Sequence, residues 1–284
     1  MGHVVLGTSS WTAKGWVGPF YPEGLARDRW LAHYATRFAT VEVDSTYYGV
    51  PRRSTVRRWA DQTPDGFTMA AKFPRAVVHR GDGPRPDGET ILRPEVVGGE
   101  VDAFLDAMGE LGARCGPLVI QLPYLNRPAF AGPGPFLERL AGFLDWLPDG
   151  FRYAVEVRNK AWIKPPLLSL LRERNVALVL VDIRYMPHPE ELARSLDLVT
   201  ADFAYARLIG DRAATEAHTK VFDRVVLDQA ARLEGWANLI AAYAQRVSFI
   251  AAYANNHYAG HAPTTIAQLT TMLEGRGVPV GGIG

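Results

Sequence analysis

Two carboxylates two positions apart, Glu42 and Asp44, alternate with Val41 and Val43. Alternate residues of an extended strand share a face, so this spacing sets both acids on one side, roughly 7 Å apart. Such a pair can exchange a proton, hold a cation, or only keep a strand soluble. The device recurs along the chain, where apolar strands end in charged or amide side chains. These ends carry Lys72 and Arg75, Gln121, Glu156 and Arg158, Asp182, Arg207, and Tyr253 with Asn255, Asn256 and His257. Buried unpaired charge is costly, so groups of this kind must be paired, hydrated or used on a ligand.

Carboxylates beside cations suit proton transfer, with lysine and arginine holding an anionic or carbonyl oxygen. The catalytic set read in this way is Glu42, Asp44, Lys72, Glu156, Arg158 and Asp182. The substrate-binding set is Trp11, Tyr47, Arg75, His79, Gln121, Arg207, Tyr253, Asn255, Asn256 and His257. The competing reading of the same residues is a structural ion network that plugs the interior. Aromatic side chains crowd the same loops: Trp11, Trp16, Tyr47, Tyr48, Tyr124 and Trp162. Rings beside cations suit stacking of a base or a sugar, although Trp16 and Tyr48 are equally suited to the core. From Val50 to Arg85 eight arginines and lysines face three aspartates, an excess of five positive charges. That stretch is either a solvated helix face or a phosphate-binding edge.

Other chemistries find less support. His3 and His33 fit structural positions, while His79, His257 and His261 follow strands. No His-Glu-x-x-His and no dense histidine–carboxylate set occurs, so no residue is assigned to a metal and no cofactor is expected. A divalent metal is the weaker reading. There is no Gly-x-Ser-x-Gly elbow. Cys115 is the only cysteine, which excludes a disulfide framework and a cysteine-based zinc site. A formal net charge of +1 removes any global case for nucleic-acid binding. No apolar run approaches the ~18 residues of a span, and no basic leader precedes the first strand. The expectation is a cytoplasmic protein with no membrane partner.

The elements that must position these residues follow from periodicity. Strands are predicted at 4–8, 40–48, 67–72, 118–122, 153–157, 176–182, 203–208 and 249–253. Helices are predicted at 27–38, 54–62 with Ser54 as N-cap, 100–114, 136–147, 165–174, 189–196, 227–246 and 264–275. A Pro- and Gly-rich loop is expected over 76–99, residues 211–220 give no clear pattern, and 276–284 reads as a frayed tail. Eight apolar strands alternating with helices indicate a parallel sheet. In 284 residues they fit one (β/α)8 TIM barrel, an α/β fold with a single domain over 1–284. An open Rossmann sheet is weaker, since no strand runs into Gly-x-Gly-x-x-Gly.

Several stretches together resemble the DUF72, or YecE-like, family. They are Gly7-Thr8-Ser9-Ser10-Trp11, Gly18-Pro19-Phe20-Tyr21-Pro22, Val41 through Tyr48, Gln121-Leu122-Pro123 and Glu156-Val157-Arg158-Asn159 with Trp162. Tyr205-Ala206-Arg207-Leu208, Asn255-Asn256-His257 and Gly260-His261-Ala262-Pro263 complete the set. The resemblance runs nearly end to end and implies a TIM barrel. It brings no established activity; a likeness of the family's barrel to endonuclease IV implies nucleic-acid binding only by analogy of fold, and that enzyme's zinc ligands are not recognisable here. The chain departs from the family pattern at Ser10, where a glycine is usual, at Ile209, where a histidine often stands, at Thr265, usually asparagine, and over 211–226.

The function expected is an enzyme with a mixed-charge pocket at the C-terminal barrel face, working on a phosphate-bearing or polyhydroxylated substrate, a nucleotide, nucleic acid or sugar. The alternative is a noncatalytic nucleic-acid-binding module using the basic stretch. A third reading is an ion-plugged barrel with no accessible pocket.

Overall fold

The computed structural model describes residues 1–81 and 83–282; Asp82 of the basic stretch and residues 283–284 of the expected tail lie outside the described residues. Eight parallel strands form the centre: β1 His3–Thr8, β2 Thr40–Val43, β3 Thr68–Lys72, β4 Cys115–Gln121, β5 Tyr153–Glu156, β6 Ala177–Ile183, β7 Phe203–Gly210 and β8 Phe249–Ala254. They are hydrogen-bonded in the order β1-β8-β7-β6-β5-β4-β3-β2. Helices α1 Trp30–Tyr34, α2 Arg53–Asp61, α3 Arg75–Val78, α4 Pro94–Gly109, α5 Pro133–Trp146 and α6 Pro165–Glu173 come between strands in the first half. The second half adds α7 Pro189–Ala193, α8 Arg212–Glu216, α9 Ala230–Tyr243, α10 Asn256–Ala259 and α11 Ala262–Glu274. This is the single-domain TIM barrel that the strand count predicts.

The ring is nearly closed, and its seam lies between β1 and β2. Among the described residues one bridge, Ser9 to Glu42, joins them beyond the named strands. The Tyr34 hydroxyl spans the gap: it accepts from the Thr8 amide at 2.9 Å and donates to the Thr40 carbonyl at 3.0 Å. A side chain thus satisfies backbone groups that a ladder would otherwise pair. Gly7 allows this approach, since a Cβ there would stand 2.1 Å from the Thr40 oxygen.

Several boundaries differ from expectation, each for a local reason. β2 ends at Val43, and Asp44–Tyr47 forms a 3-10 turn instead of continuing the strand to residue 48. The Thr46 hydroxyl takes over the ladder, donating to the Lys72 carbonyl at 2.9 Å and accepting from the Lys72 amide at 3.0 Å. The segment 76–99 is not all loop; α4 begins at Pro94, a residue suited to a first turn where its missing N–H goes unused. α2 begins at Arg53, so Ser54 lies inside it and is no cap. Within 211–220, Asp211 caps α8 by accepting from the Ala213 and Ala214 amides. The tail is tied down as far as it is described: Val278 is buried, Val280 pairs with Val4, and the Gly281 amide donates to the Val4 carbonyl.

Candidate active site at the barrel mouth

Parallel register decides which side chains enter the barrel. Arg207 of β7 pairs level with Tyr253 of β8, and Glu156 of β5 with Gln121 of β4. Arg207 is the hub of what they build. Its Nη1 donates to Gln121 Oε1 at 2.8 Å and to Glu156 Oε2, and its Nη2 donates to Glu42 Oε1 at 3.0 Å. Lys72 reaches Asp44 Oδ1 and stands 3.3 Å from Glu42 Oε1. Arg158 donates from Nε to Glu156 Oε1 at 2.8 Å, and the Tyr205 hydroxyl donates to Glu42 Oε2 at 2.7 Å. Three carboxylates therefore meet three cations.

The carboxylates are not equivalent. Glu42 and Glu156 are fully buried, whereas 29% of the Asp44 side chain stays open. Burial pushes the Glu42 carboxyl up, but the charges of Arg207 and Lys72, with hydrogen bonds from Tyr205 and Arg207, outweigh it and hold the group at about 2. Glu156 is lowered in the same way: Arg207 and Arg158 overcome the effect of burial. Asp44 goes the other way. Burial raises it, and the neighbouring Glu42 charge adds to that rise against the opposing pull of Lys72. Two acids sharing one lysine lose their protons as a coupled pair, and Glu42 ionises first.

Above this floor opens a cavity of about 800 Å³. Of the residues singled out from sequence, Asp44, Tyr47, Lys72, Gln121, Arg158, Arg207, Asn255 and His257 line it. On its rim Arg184 faces Asp211 at 3.4 Å, and Arg212 donates to Glu216 at 2.7 Å. His257 is held between Asn255 Oδ1 at 2.8 Å and Glu216 Oε1 at 3.1 Å. The accessible cavity excludes a barrel wholly plugged by its ions.

The family profile described as "Protein of unknown function DUF72" matches residues 5–280. The chain belongs to the DUF72 family. Its relatives include the UPF0759 protein YecE of Escherichia coli K12, 32% identical over 198 residues, or 66% of this chain. The match spans 64% of that relative's length. Among solved structures, a DUF72 protein of Thermotoga maritima superposes with a TM-score of 0.70 at 24% identity, covering 96% of this chain and 99% of the other. One from Enterococcus faecalis gives 0.67 at 19% identity, with 96% and 98% covered. At those identities the likeness shows the shared barrel.

Against the DUF72 pattern, the departures acquire structural meaning. Ser10 adopts φ 101°, a conformation that glycine takes freely and a side chain does not. Ile209 lies on the cavity wall, where β6 and β7 slip in register as Asp182 pairs with Leu208 and Ile183 with Gly210. The Thr265 hydroxyl donates to the His261 carbonyl inside α11.

Six expected site residues lie elsewhere. Asp182 shares the outward face of the sheet with Leu208, its register partner, one position out of phase with Arg207. It is buried against α9, accepting from Arg232 and, at 3.3 Å, from Trp236. Trp11 packs edge-on against Trp59 at 5.7 Å. Arg75 holds the carbonyls of Gly81 and Gly83, and His79 is buried behind it. Tyr253 sits deeper in the barrel with its hydroxyl 2.7 Å from Thr40 Oγ1. Asn256 accepts from the Trp16 indole at 3.0 Å, fixing a loop. Conversely, the mouth includes Ser10, Arg184, Tyr185, Asp211 and Arg212, which strand-end reasoning missed because they lie past the strand ends, Arg212 in α8, and Tyr48, which the sequence marks as an aromatic but not as a site residue. Trp16 is buried, whereas Tyr48 is exposed.

The basic stretch is largely engaged: Arg53 and Arg57 both bind Glu110, and Arg80 faces Glu100 at 3.5 Å. Burial pushes the Cys115 thiol up to about 12, which leaves it unreactive. Among the described residues no three histidine, cysteine, aspartate or glutamate side chains gather as a metal ion would need, and no helix is long and apolar enough to cross a membrane.

Proposed function

We propose that this DUF72 barrel is an enzyme whose mouth moves a proton on a polyhydroxylated or phosphate-bearing substrate, with Asp44 as the group that carries it. The observation behind this reading is the unequal treatment of the three carboxylates. Asp44 alone of the three lines the cavity, and its carboxyl is raised toward the range in which it can both take and give a proton. Glu42 and Glu156 touch no cavity space; each is locked by two or more donors and serves to fix Lys72, Arg158 and Arg207. Lys72 and Arg158 face the cavity and supply donors for a substrate oxygen on which charge develops.

The nucleic-acid module draws less support, because Arg53, Arg57 and Arg80 are already partnered by carboxylates. Profiling wild type and Asp44→Asn against phosphate esters, nucleotides and sugars is the direct test. The expected outcome is one accepted substrate class and a loss of about 10²–10⁴-fold in kcat for Asp44→Asn with the fold intact. An activity kept in full by Asp44→Asn would refute the assignment.

A further inference from the structure

Charge narrows the class of ligand that the mouth accepts. The cavity wall presents five cations: Lys72, Arg158, Arg184, Arg207 and Arg212. Each already has a carboxylate partner, and the partners are also five: Glu42, Asp44, Glu156, Asp211 and Glu216. Asp44 and Asp211 share the wall with them, and the other partners lie directly against the cations, so the five pairs together carry no net charge. An entering phosphate or polyanion would have to share a paired guanidinium and lie beside that partner's negative charge. At contact distance near a protein surface each such like-charge approach opposes binding. An anion-binding mouth would hold cations without partners, and each cation here is already paired with a carboxylate.

Exposed rings supply the second, independent observation. Among the described residues three tyrosines stand well out of the fold: Tyr48 at 84%, Tyr124 at 61% and Tyr185 at 49% exposure. They follow the ends of β2, β4 and β6, alternate strands of the barrel, on the side where the mouth opens. Tyr48 and Tyr185 line the cavity, and Tyr47 stands perpendicular to Tyr48 at 5.5 Å. Large exposed rings grouped around one opening mark a binding surface. A tyrosine offers a flat apolar face with a polar tip, the form that takes the apolar side of a sugar ring while its hydroxyls find partners. Those partners are at hand. Asp44 and Asp211, the ion-paired carboxylates on the wall, keep spare lone pairs, and Arg158 spends only Nε on Glu156, so both classes of group can bind hydroxyls without any net charge on the ligand.

We infer that the mouth binds a neutral carbohydrate, one ring entering the cavity between the Tyr47–Tyr48 pair and Tyr185, and further rings of an oligosaccharide running out over Tyr124. This deepens the proposed function, resting on the same cavity as the working site, and it assigns the substrate class.

The probes are four neutral hexasaccharides, of the malto, cello, chito and xylo series, with a twelve-residue oligothymidylate, titrated calorimetrically against the full chain. Titrations at about 50 and about 300 mM NaCl span the range over which surface charge is screened. The expected result is binding of at least one hexasaccharide, with a Kd that salt changes by less than about twofold. Tyr48→Ala and Tyr185→Ala each weaken that binding about fivefold, the effect of losing one ring contact. Tyr124→Ala weakens the hexasaccharide but not the matching disaccharide. All three side chains are exposed, so these variants keep the fold, which circular dichroism and melting check. Binding of no saccharide, or of the oligothymidylate alone with a steep loss in salt, overturns the inference. Saccharide binding without turnover of any sugar would remove the proton-transfer reading and leave this one standing; turnover of a phosphate ester with no saccharide bound would do the reverse.

Discussion

Lys72 stands between Glu42 and Asp44, and its charge lowers both carboxyls. Its charge opposes the rise that burial and Glu42 impose on the Asp44 carboxyl. Replacement by methionine keeps the stem and removes that opposition, so the Asp44 carboxyl climbs further. If Asp44 acts as the base, activity requires its ionised form and falls on the acid side of the profile as the group is protonated. The acid limb of kcat in Lys72→Met is then expected to move up by about 1–3 pH units, the range for one close charge. An acid limb that stayed in place would show that some other group controls it. Arg207 cannot substitute for Lys72 here, since its nitrogens are committed to Glu42, Glu156 and Gln121 and its approach to Asp44 is 4.0 Å.

At the scale of elements, the seam between β1 and β2 is closed by the Ser9–Glu42 bridge and by one phenol. Tyr34→Phe removes a single oxygen and leaves the Thr8 amide and the Thr40 carbonyl without the partner that joins them across the gap. Orphaning buried backbone groups costs about 1–3 kcal/mol, so the free energy of unfolding is expected to fall by that amount, read as a lower urea midpoint with little change in slope. Stability within a few tenths of a kcal/mol of wild type would mean that the seam closes by other means. Nothing in the sequence announces this role. Tyr34 reads there only as part of the apolar stripe of a helix, because periodicity reports which face is buried and not what its polar tip reaches. The eight strands were legible because each is a short apolar run bounded by turns, and Glu42, Lys72, Glu156 and Arg207 were legible as charged groups at the C-terminal strand ends of a barrel. Asp182 misled for a related reason: a charge at a strand end carries no mark of the face it takes until register is known, and just beyond it β7 holds an extra residue, Ile209, against β6. α8 was illegible because its five residues are too few to show a period, and its only signal is the Asp211 cap.

For the whole molecule, the ionic floor is also a tie across the barrel. Glu42 and Arg207 are 165 positions apart in sequence, and their contact links β2 to β7 across the interior. Such a tie depends on ionised carboxylates, and the direction of its pH dependence follows from the folded values. Glu42 is depressed from 4.5 to about 2, and Glu156 is lowered as well. A depressed carboxyl contributes stability that is fully present above its unfolded value. That contribution is lost as pH falls, because the unfolded chain then binds protons that the folded chain refuses. Stability is therefore expected to hold between pH 7 and about 5 and to decline from there toward 2. Glu42→Gln, which has no proton to take up at that site, should be less stable at pH 7 and show a shallower decline in acid. Urea midpoints measured down the pH scale for both proteins read this directly. Parallel curves, with the variant displaced by a constant amount, would mean that Glu42 gains nothing from its charge in the folded state. The floor would then be held by hydrogen bonding and packing alone.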